Sequence, residues 1–200
     1  MTMETPEVYR LDHFRARRKV FKLLGAGFTL ETTDGRPLAR SEQKAFRLKE
    51  DIRINEPGGD GAELLRIKAD RIVDFSAAYR VDDAQTGEHI GTLRRKGWSS
   101  MFKDSWEILD ADGVVRGKVV EESTWKALAR RFVDAASLFL PQTFNIEVDG
   151  QVVGSMRQHF NPFIQKFDVD LSQDTDQLLP RPLAVATVVL LLAIEGRQRG

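Results

Sequence analysis

A segment that recurs along the chain decides the fold, and its first copy reads FTLETTDGRPLA, from Phe28 to Ala39. It starts with apolar residues at alternate positions, reaches a glycine-containing turn and carries a small residue four positions after that glycine. This layout predicts a β-hairpin, because glycine readily supplies the positive φ angle of a tight turn. Three further copies share it: YRVDDAQTGEHIG (Tyr79 to Gly91), WEILDADGVVRG (Trp106 to Gly117) and FNIEVDGQVVG (Phe144 to Gly154). A looser copy with a longer Pro/Gly turn runs from Asp51 to Ile67.

Five hairpins contribute ten strands, and the stretches Lys19 to Leu24 and Phe163 to Leu171 add about two more. A closed antiparallel sheet of that size has no unpaired edge, but its lumen is too wide for its own side chains to fill. The run LAVATVVLLLAI, Leu183 to Ile194, is apolar on every side, which is typical of a helix buried all round. We therefore predict a mostly β fold, a closed antiparallel barrel of about twelve strands around a buried C-terminal hydrophobic helix.

The apolar run is also the one candidate for a membrane span, and its length argues against that role. Its twelve residues would extend about 18 Å as a helix, whereas the hydrocarbon core of a bilayer is about 30 Å thick. The N-terminus has no apolar stretch of the kind that secretory signals contain. We therefore expect a cytoplasmic protein with no transmembrane segment, at most peripheral to a membrane.

Composition narrows the functional classes. The 200 residues include 30 Lys and Arg, 30 Asp and Glu, and no cysteine. This balance argues against a strongly basic nucleic-acid binder, and the lack of cysteine excludes disulfides, zinc–thiolate sites and a cysteine nucleophile. The three histidines, His13, His89 and His159, are far apart and form no metal-binding motif. With no catalytic signature present, we expect a protein that is not an enzyme and has no cofactor.

Three features together suggest a known family: the start KVFKL (Lys19 to Leu23), the repeated hairpins, and KFDVDL (Lys166 to Leu171) followed by an acidic stretch and the apolar helix. With these features the chain resembles the tubby C-terminal-like superfamily, and within it the LURP-one-related and phospholipid-scramblase-like proteins. The resemblance implies a twelve-stranded barrel around a central helix. We expect a single domain at 9–196 with its central helix at 183–195, a flexible N-terminus at 1–8 and a tail at 197–200.

An acidic stretch precedes the helix and is a candidate calcium site. Oxygen donors at alternate positions could surround a hard cation, although neither the glycine nor the closing glutamate of an EF-hand is present. The scramblase resemblance implies a calcium segment at this place, so a weak Ca²⁺ site is one interpretation, and a solvated strand face that continues into a polar loop is the other. The candidate ligands are Asp168, Asp170, Asp174 and Asp176.

Basic residues interleaved with large apolar ones suggest a lipid-binding surface. In such a surface the aromatic side chains would enter the bilayer interface while the cations meet phosphate. The alternative is that the aromatic side chains close the barrel ends and the charges maintain solubility. The candidate lipid-binding residues are Arg94, Arg95, Lys96, Trp98, Phe102, Lys103, Lys126, Arg130 and Arg131. A further basic stretch near the start contains Arg15, Arg17, Arg18 and Lys19.

Lys126, Arg130 and Arg131 belong to a segment with helical periodicity, Ser123 to Pro141. Apolar residues recur there every three or four positions. Such a helix could bind a membrane interface or a partner, or it could cap a barrel mouth.

Three functions follow from these features. The first is a non-enzymatic intracellular module that binds anionic phospholipid or a protein partner, because the resemblance to tubby-type domains implies recognition of phosphoinositide head groups. The second is scramblase-like, calcium-dependent handling of phospholipid. The third is a purely structural or interaction protein with no lipid ligand.

Overall fold

The computed structural model describes residues 4–21, 25–43, 51–58, 61–70, 77–95, 106–122, 143–159 and 165–195. These residues form twelve strands and one long α-helix, α1 (Arg181–Glu195), after a 3-10 turn at Glu7–Tyr9. The strands are β1 His13–Phe21, β2 Gly25–Glu31, β3 Pro37–Gln43, β4 Asp51–Asn55, β5 Glu63–Ala69, β6 Ala77–Asp83, β7 His89–Arg95, β8 Trp106–Leu109, β9 Val115–Glu121, β10 Thr143–Val148, β11 Gln151–His159 and β12 Gln165–Asp170. Each strand pairs antiparallel with the next, and β12 pairs with β1 to close the barrel. The predicted closed twelve-stranded barrel is confirmed.

The first strand begins earlier than the sequence prediction placed it. β1 starts at His13, not at Lys19, because the charged stretch HFRARRKVF alternates between the two sides of the sheet. Phe14, Ala16 and Arg18 are all buried, so a guanidinium occupies an inward position that the hydrophobic pattern could not mark. Packing also reaches upstream of the expected domain start at residue 9, since Val8 is buried in the core.

The predicted turn glycines have the expected backbone. Gly35, Gly113 and Gly150 have φ angles of +97°, +80° and +83°. These values lie in the region that favours glycine because an L side chain is strained there. The hairpin turns assigned from the sequence are therefore confirmed.

The structure explains the small residue that follows each turn. In each of the four close copies of the repeat, this small residue pairs with the apolar residue two positions after the aromatic start. The register between the two strands shifts just beyond that pair. The pairs are Leu30–Ala39, Val81–Gly91, Ile108–Gly117 and Ile146–Gly154. A Cβ at Gly91 would lie 2.5 Å from the Leu109 carbonyl oxygen and 3.0 Å from Leu183 Cδ2 of α1. The small residue thus permits close approach between strands and, at Gly91, between the barrel and its helix.

The interior is filled by the hairpin starts and by α1. The buried starts are Phe28, Ile52, Tyr79, Trp106 and Phe144. Residues 183 to 193 of α1 are at most 4% exposed, so this part of the helix is buried on every side. Its one hydroxyl, on Thr187, donates to the carbonyl of Leu183 at 2.8 Å. Within the described ranges, no helix combines the length and apolarity needed to cross a membrane.

Candidate functional site

Most of the predicted lipid-binding residues fall outside the part of the chain that the structure describes. Arg94 and Arg95, at the end of β7, are described. The others lie outside the described residues, as does the predicted helix at 123–141: Lys96, Trp98, Phe102, Lys103, Lys126, Arg130 and Arg131. Their assignment to a lipid surface stays a prediction.

Arg94 belongs to a ladder of alternating charges on the outer face of β7 to β10. Its Nε and Nη2 atoms donate to Glu107 Oε2 at 2.9 and 2.6 Å. Glu107 faces Lys118 in the register, and Lys118 Nζ lies 3.0 Å from Glu147 Oε2. Opposite charges on facing residues stabilise neighbouring strands. Arg94 therefore contributes to strand pairing as well as to surface charge.

Arg95 is directed to the other side of the sheet. It lies two residues after Leu93, which is buried inside the barrel, and it faces Trp106 of β8. Because successive strand residues point to opposite faces, the structure does not bring Arg94 and Arg95 together in one cationic patch. Burial raises the pKa of the Tyr79 phenol, and the positive charge of Arg95 offsets part of that rise.

Asp168 and Asp170 lie on the outer face of β12 and are engaged by neighbouring strands. Asp168 accepts a hydrogen bond from Arg15 Nε at 3.0 Å and lies 2.5 Å from His159 Nε2. Asp170 accepts the backbone N–H of Ser172 at 2.9 Å, and its Oδ1 is 3.4 Å from His13 Nδ1.

The pKa values of these two carboxyl groups reflect their partners. Burial alone would raise the pKa of Asp168, but hydrogen bonds from His159 and Arg15 outweigh it and hold the pKa below its ordinary value. Burial is also the largest single influence at Asp170 and would raise its pKa, but the hydrogen bonds from Ser172 and the neighbouring His13 together outweigh it and lower the pKa. Both groups therefore remain carboxylates whose charge is committed to neighbouring side chains or backbone.

The other two predicted calcium ligands lie in the loop after β12. The buried Asp174 carboxylate accepts the backbone N–H groups of Leu178 and Leu179 at 2.8 and 3.2 Å. Asp176 is exposed. Among the described residues, no three His, Asp or Glu side chains are placed to hold a metal ion together. The four aspartates therefore have separate surroundings. Through its two hydrogen bonds, Asp174 stabilises the backbone of the loop that leads to α1.

A row of cations that the sequence analysis did not assemble crosses five strands on the outer face. Arg40 of β3 faces Thr29 of β2, and Thr29 faces Arg17 of β1. Arg17 in turn faces Lys166 of β12, which faces His159 of β11. We call these five residues the cationic row. The three positively charged residues come from distant parts of the chain, so no local cluster in the sequence marks them.

Ion pairing within the cationic row is incomplete. Arg17 Nη1 donates to Glu31 Oε2 at 3.1 Å. His159 contacts Asp168, as described above. The side chains of Arg40 and Lys166 form no ion pair or hydrogen bond with any residue that the structure describes.

The family model for LURP-one-related proteins matches residues 13–191. The chain belongs to the LURP-one-related family. This assignment confirms the resemblance stated from the hairpins and the terminal helix. An X-ray structure of a protein from Arabidopsis thaliana is similar to this LURP-one-related chain, with a TM-score of 0.53 and 13% sequence identity over 92% of this chain and 91% of that one. At that identity the similarity shows the fold alone. No curated protein matches the sequence.

Among the described residues of this LURP-one-related barrel, Arg18 places a deeply buried charged group in the lumen. The Arg18 side chain projects inward, where Nη1 donates to the backbone carbonyl of Leu192 at 3.1 Å and to Gln165 Oε1 at 3.3 Å. Its guanidinium carbon also lies 6.0 Å from the centre of the Phe28 ring. A cation near the last turn of a helix is favoured, because the partial charge at that end is negative. Arg18 therefore helps to hold α1 in the barrel.

Proposed function

We propose that this protein is a non-enzymatic intracellular module that binds anionic phospholipid peripherally through its outer surface. The observation that carries the proposal is the occupied lumen. Among the described residues, α1 and the inward side chains of the strands form one buried hydrophobic core, which disfavours an interior site of the 300–1,000 Å³ that a small substrate usually needs. Binding must then use the outside of the barrel, and family membership is compatible with a binding module.

Local groups of cations on the outer surface would provide the attraction for an anionic ligand. Electrostatic attraction to an anionic leaflet contributes about 1 kcal/mol for each Lys or Arg near the membrane surface. The protein has no net charge, so local cation groups must provide this attraction. Because charges are screened over about 8 Å at physiological ionic strength, binding should weaken as salt is added.

Co-sedimentation with vesicles tests the proposal. Vesicles of phosphatidylcholine alone should not retain the protein, whereas vesicles that also contain phosphatidylserine or phosphatidylinositol bisphosphate should retain it at low salt. Absence of binding to every anionic vesicle at low salt would refute the proposal.

A protein partner is the second candidate, and one observation favours it. Val114, Val115 and Val152 are 54%, 48% and 39% exposed, and they are the large apolar residues that stand out as exposed among the described residues. Val115 on β9 and Val152 on β11 lie on either side of β10. Exposed apolar residues grouped on a surface are typical of interaction sites. Replacing all three by Ser should leave vesicle binding unchanged if the lipid proposal is correct.

Calcium-dependent scramblase-like activity receives less support. Asp168 and Asp170 already pair with cationic or histidine side chains, and Asp174 accepts backbone N–H groups. A calcium ion would have to displace these partners. We therefore expect 1 mM CaCl₂ to leave both vesicle binding and the melting temperature of the protein unchanged.

A further inference from the structure

The cationic row differs from the rest of the barrel surface in how its charges face one another. On β7 to β10, Arg94, Glu107, Lys118 and Glu147 alternate in sign across the strands. In the row, by contrast, Arg17 faces Lys166 directly, so two positive charges stand at facing positions. Like charges at facing positions destabilise a sheet. A bound anion would remove this unfavourable interaction, so the arrangement points to a ligand that the described residues do not supply.

The described side chains beside the row compensate only part of its positive charge. The adjacent row on the same face contains Arg157, Asp168, Arg15 and Glu31, which face one another in that order across β11, β12, β1 and β2. Its two carboxylates are engaged mainly by Arg15, Arg17 and His159. Arg157 is exposed and forms no ion pair within the described part of the chain. Taken together, the two rows hold five Arg or Lys side chains and two carboxylates.

Thr29 has a short side chain, which leaves a shallow depression between the arginines on the two neighbouring strands. Arg17 and Arg40 face Thr29 from its two neighbouring strands. Strands in a sheet lie about 4.8 Å apart, so the two arginine Cα atoms are separated by roughly 10 Å. Arg17 Nη1 donates to Glu31 Oε2 at 3.1 Å, whereas Arg40 forms no ion pair with a described residue, so a phosphate above Thr29 would share Arg17 with Glu31 and would have Arg40 as an unshared donor. A guanidinium matches the geometry of phosphate oxygens, which it can bind through two N–H groups at once.

Resting on the proposed function, we infer that the cationic row is the membrane-binding face and that a lipid phosphate binds above Thr29, between Arg17 and Arg40. Lys166 extends the positive surface toward neighbouring head groups. Apart from Pro37, which faces Glu31, the described residues of the two rows are polar or charged, so an acidic peptide would find charge there but little apolar surface against which to bury its own side chains. A head-group layer presents phosphate without requiring such burial.

Charge reversal at Lys166, with Lys68 as a matched control, tests this inference. Both are lysines on strands of the barrel, and neither forms an ion pair among the described residues, so loss of a salt bridge complicates neither variant. Lys68 is on β5, away from the row, and faces Asp51 and Arg80. Partition would be measured on vesicles of phosphatidylcholine with 5% phosphatidylinositol bisphosphate at low salt. Thermal melting of each variant would show that it is folded.

Lys166→Glu should weaken partition roughly 30-fold, because one attraction of about 1 kcal/mol is replaced by a comparable repulsion. Lys166→Gln should weaken it roughly fivefold, since the attraction is only removed. Arg40→Glu should act like Lys166→Glu, while Lys68→Glu should change partition less than threefold. Equal effects of Lys166→Glu and Lys68→Glu on a wild type that does bind would overturn the assignment of the face and leave the proposed function standing.

Two further results separate the inference from the proposed function. If the wild type binds no anionic vesicle, both fail together. If inositol hexakisphosphate binds in calorimetry with the same dependence on Lys166 while vesicles do not bind, the ligand is a soluble phosphate and the membrane assignment is overturned.

Discussion

The most direct test of the packing concerns two glycines of one hairpin, Gly87 in the turn and Gly91 on β7. Gly87 has a φ angle of +74°, and a Cβ there would meet nothing within 4 Å. Gly91 has no such backbone requirement, but a Cβ there would lie 2.5 Å from the Leu109 carbonyl oxygen. Alanine at these two sites therefore tests backbone strain and steric overlap separately.

The expected costs differ because the mechanisms differ. Gly87→Ala should lower the free energy of unfolding by about 1 kcal/mol, the usual penalty for an L residue in the left-handed region. At Gly91, an ordinary contact of 3.4 Å between the Cβ and the Leu109 carbonyl oxygen would require about 0.9 Å more separation, and the Cβ would also press against Leu183 of α1. Overpacking of this kind costs about 1–3 kcal/mol. Because both β8 and α1 must move, we expect a value near the upper end of that range.

Urea unfolding gives the free energy of unfolding of both variants and thermal unfolding gives their melting temperatures, both followed by tryptophan fluorescence. For a domain of this size, 1 kcal/mol corresponds to about 2–4 °C in melting temperature, so Gly91→Ala should melt roughly 6–12 °C below wild type and Gly87→Ala roughly 2–4 °C below it. Ala39 occupies the equivalent position of the first hairpin, so alanine as such is compatible with this place in the repeat. A Gly91→Ala protein as stable as wild type, or less affected than Gly87→Ala, would show that the close approach between β7, β8 and α1 is wrong.

Three other outcomes follow from the structure. Val189→Asp should prevent folding, because an unpaired carboxylate buried in the lumen costs several kcal/mol against a total stability of about 5–15 kcal/mol; circular dichroism would reveal a folded variant and contradict this. Burial raises the pKa of both Tyr9 and Tyr79, so stability should fall as the pH rises above about 10, and phenolate absorbance at 295 nm should appear only as the protein unfolds. Arg94→Glu would place a second carboxylate beside Glu107 and should lower the free energy of unfolding, measured in urea, by about 1 kcal/mol.

The barrel could be predicted because the sequence features that specify its strands are local and repeat along the chain. Each hairpin contains its own turn glycine and its own alternating apolar residues, so five similar segments determine ten strands before any long-range contact is known. The closing strand β1 is harder to place from the sequence. Arg18 occupies an inward-facing position at which the alternating pattern predicts an apolar residue. Only the fold shows that this guanidinium lies beside the end of α1, where the Leu192 carbonyl accepts its hydrogen bond.

The cationic row could not be predicted in the same way, because it depends on register and not on proximity in the chain. Arg17, Arg40 and Lys166 come from the first strand, the third and the last, and closure of the sheet between β1 and β12 brings them onto one line. The local cluster at Arg94 and Arg95 shows the opposite case, since alternation separates its two cations to the two faces of β7. Adjacent charges in a strand-rich sequence are therefore weak indicators of a binding surface. Charges that face one another across paired strands are stronger indicators, because the sheet holds them on the same side at a fixed spacing.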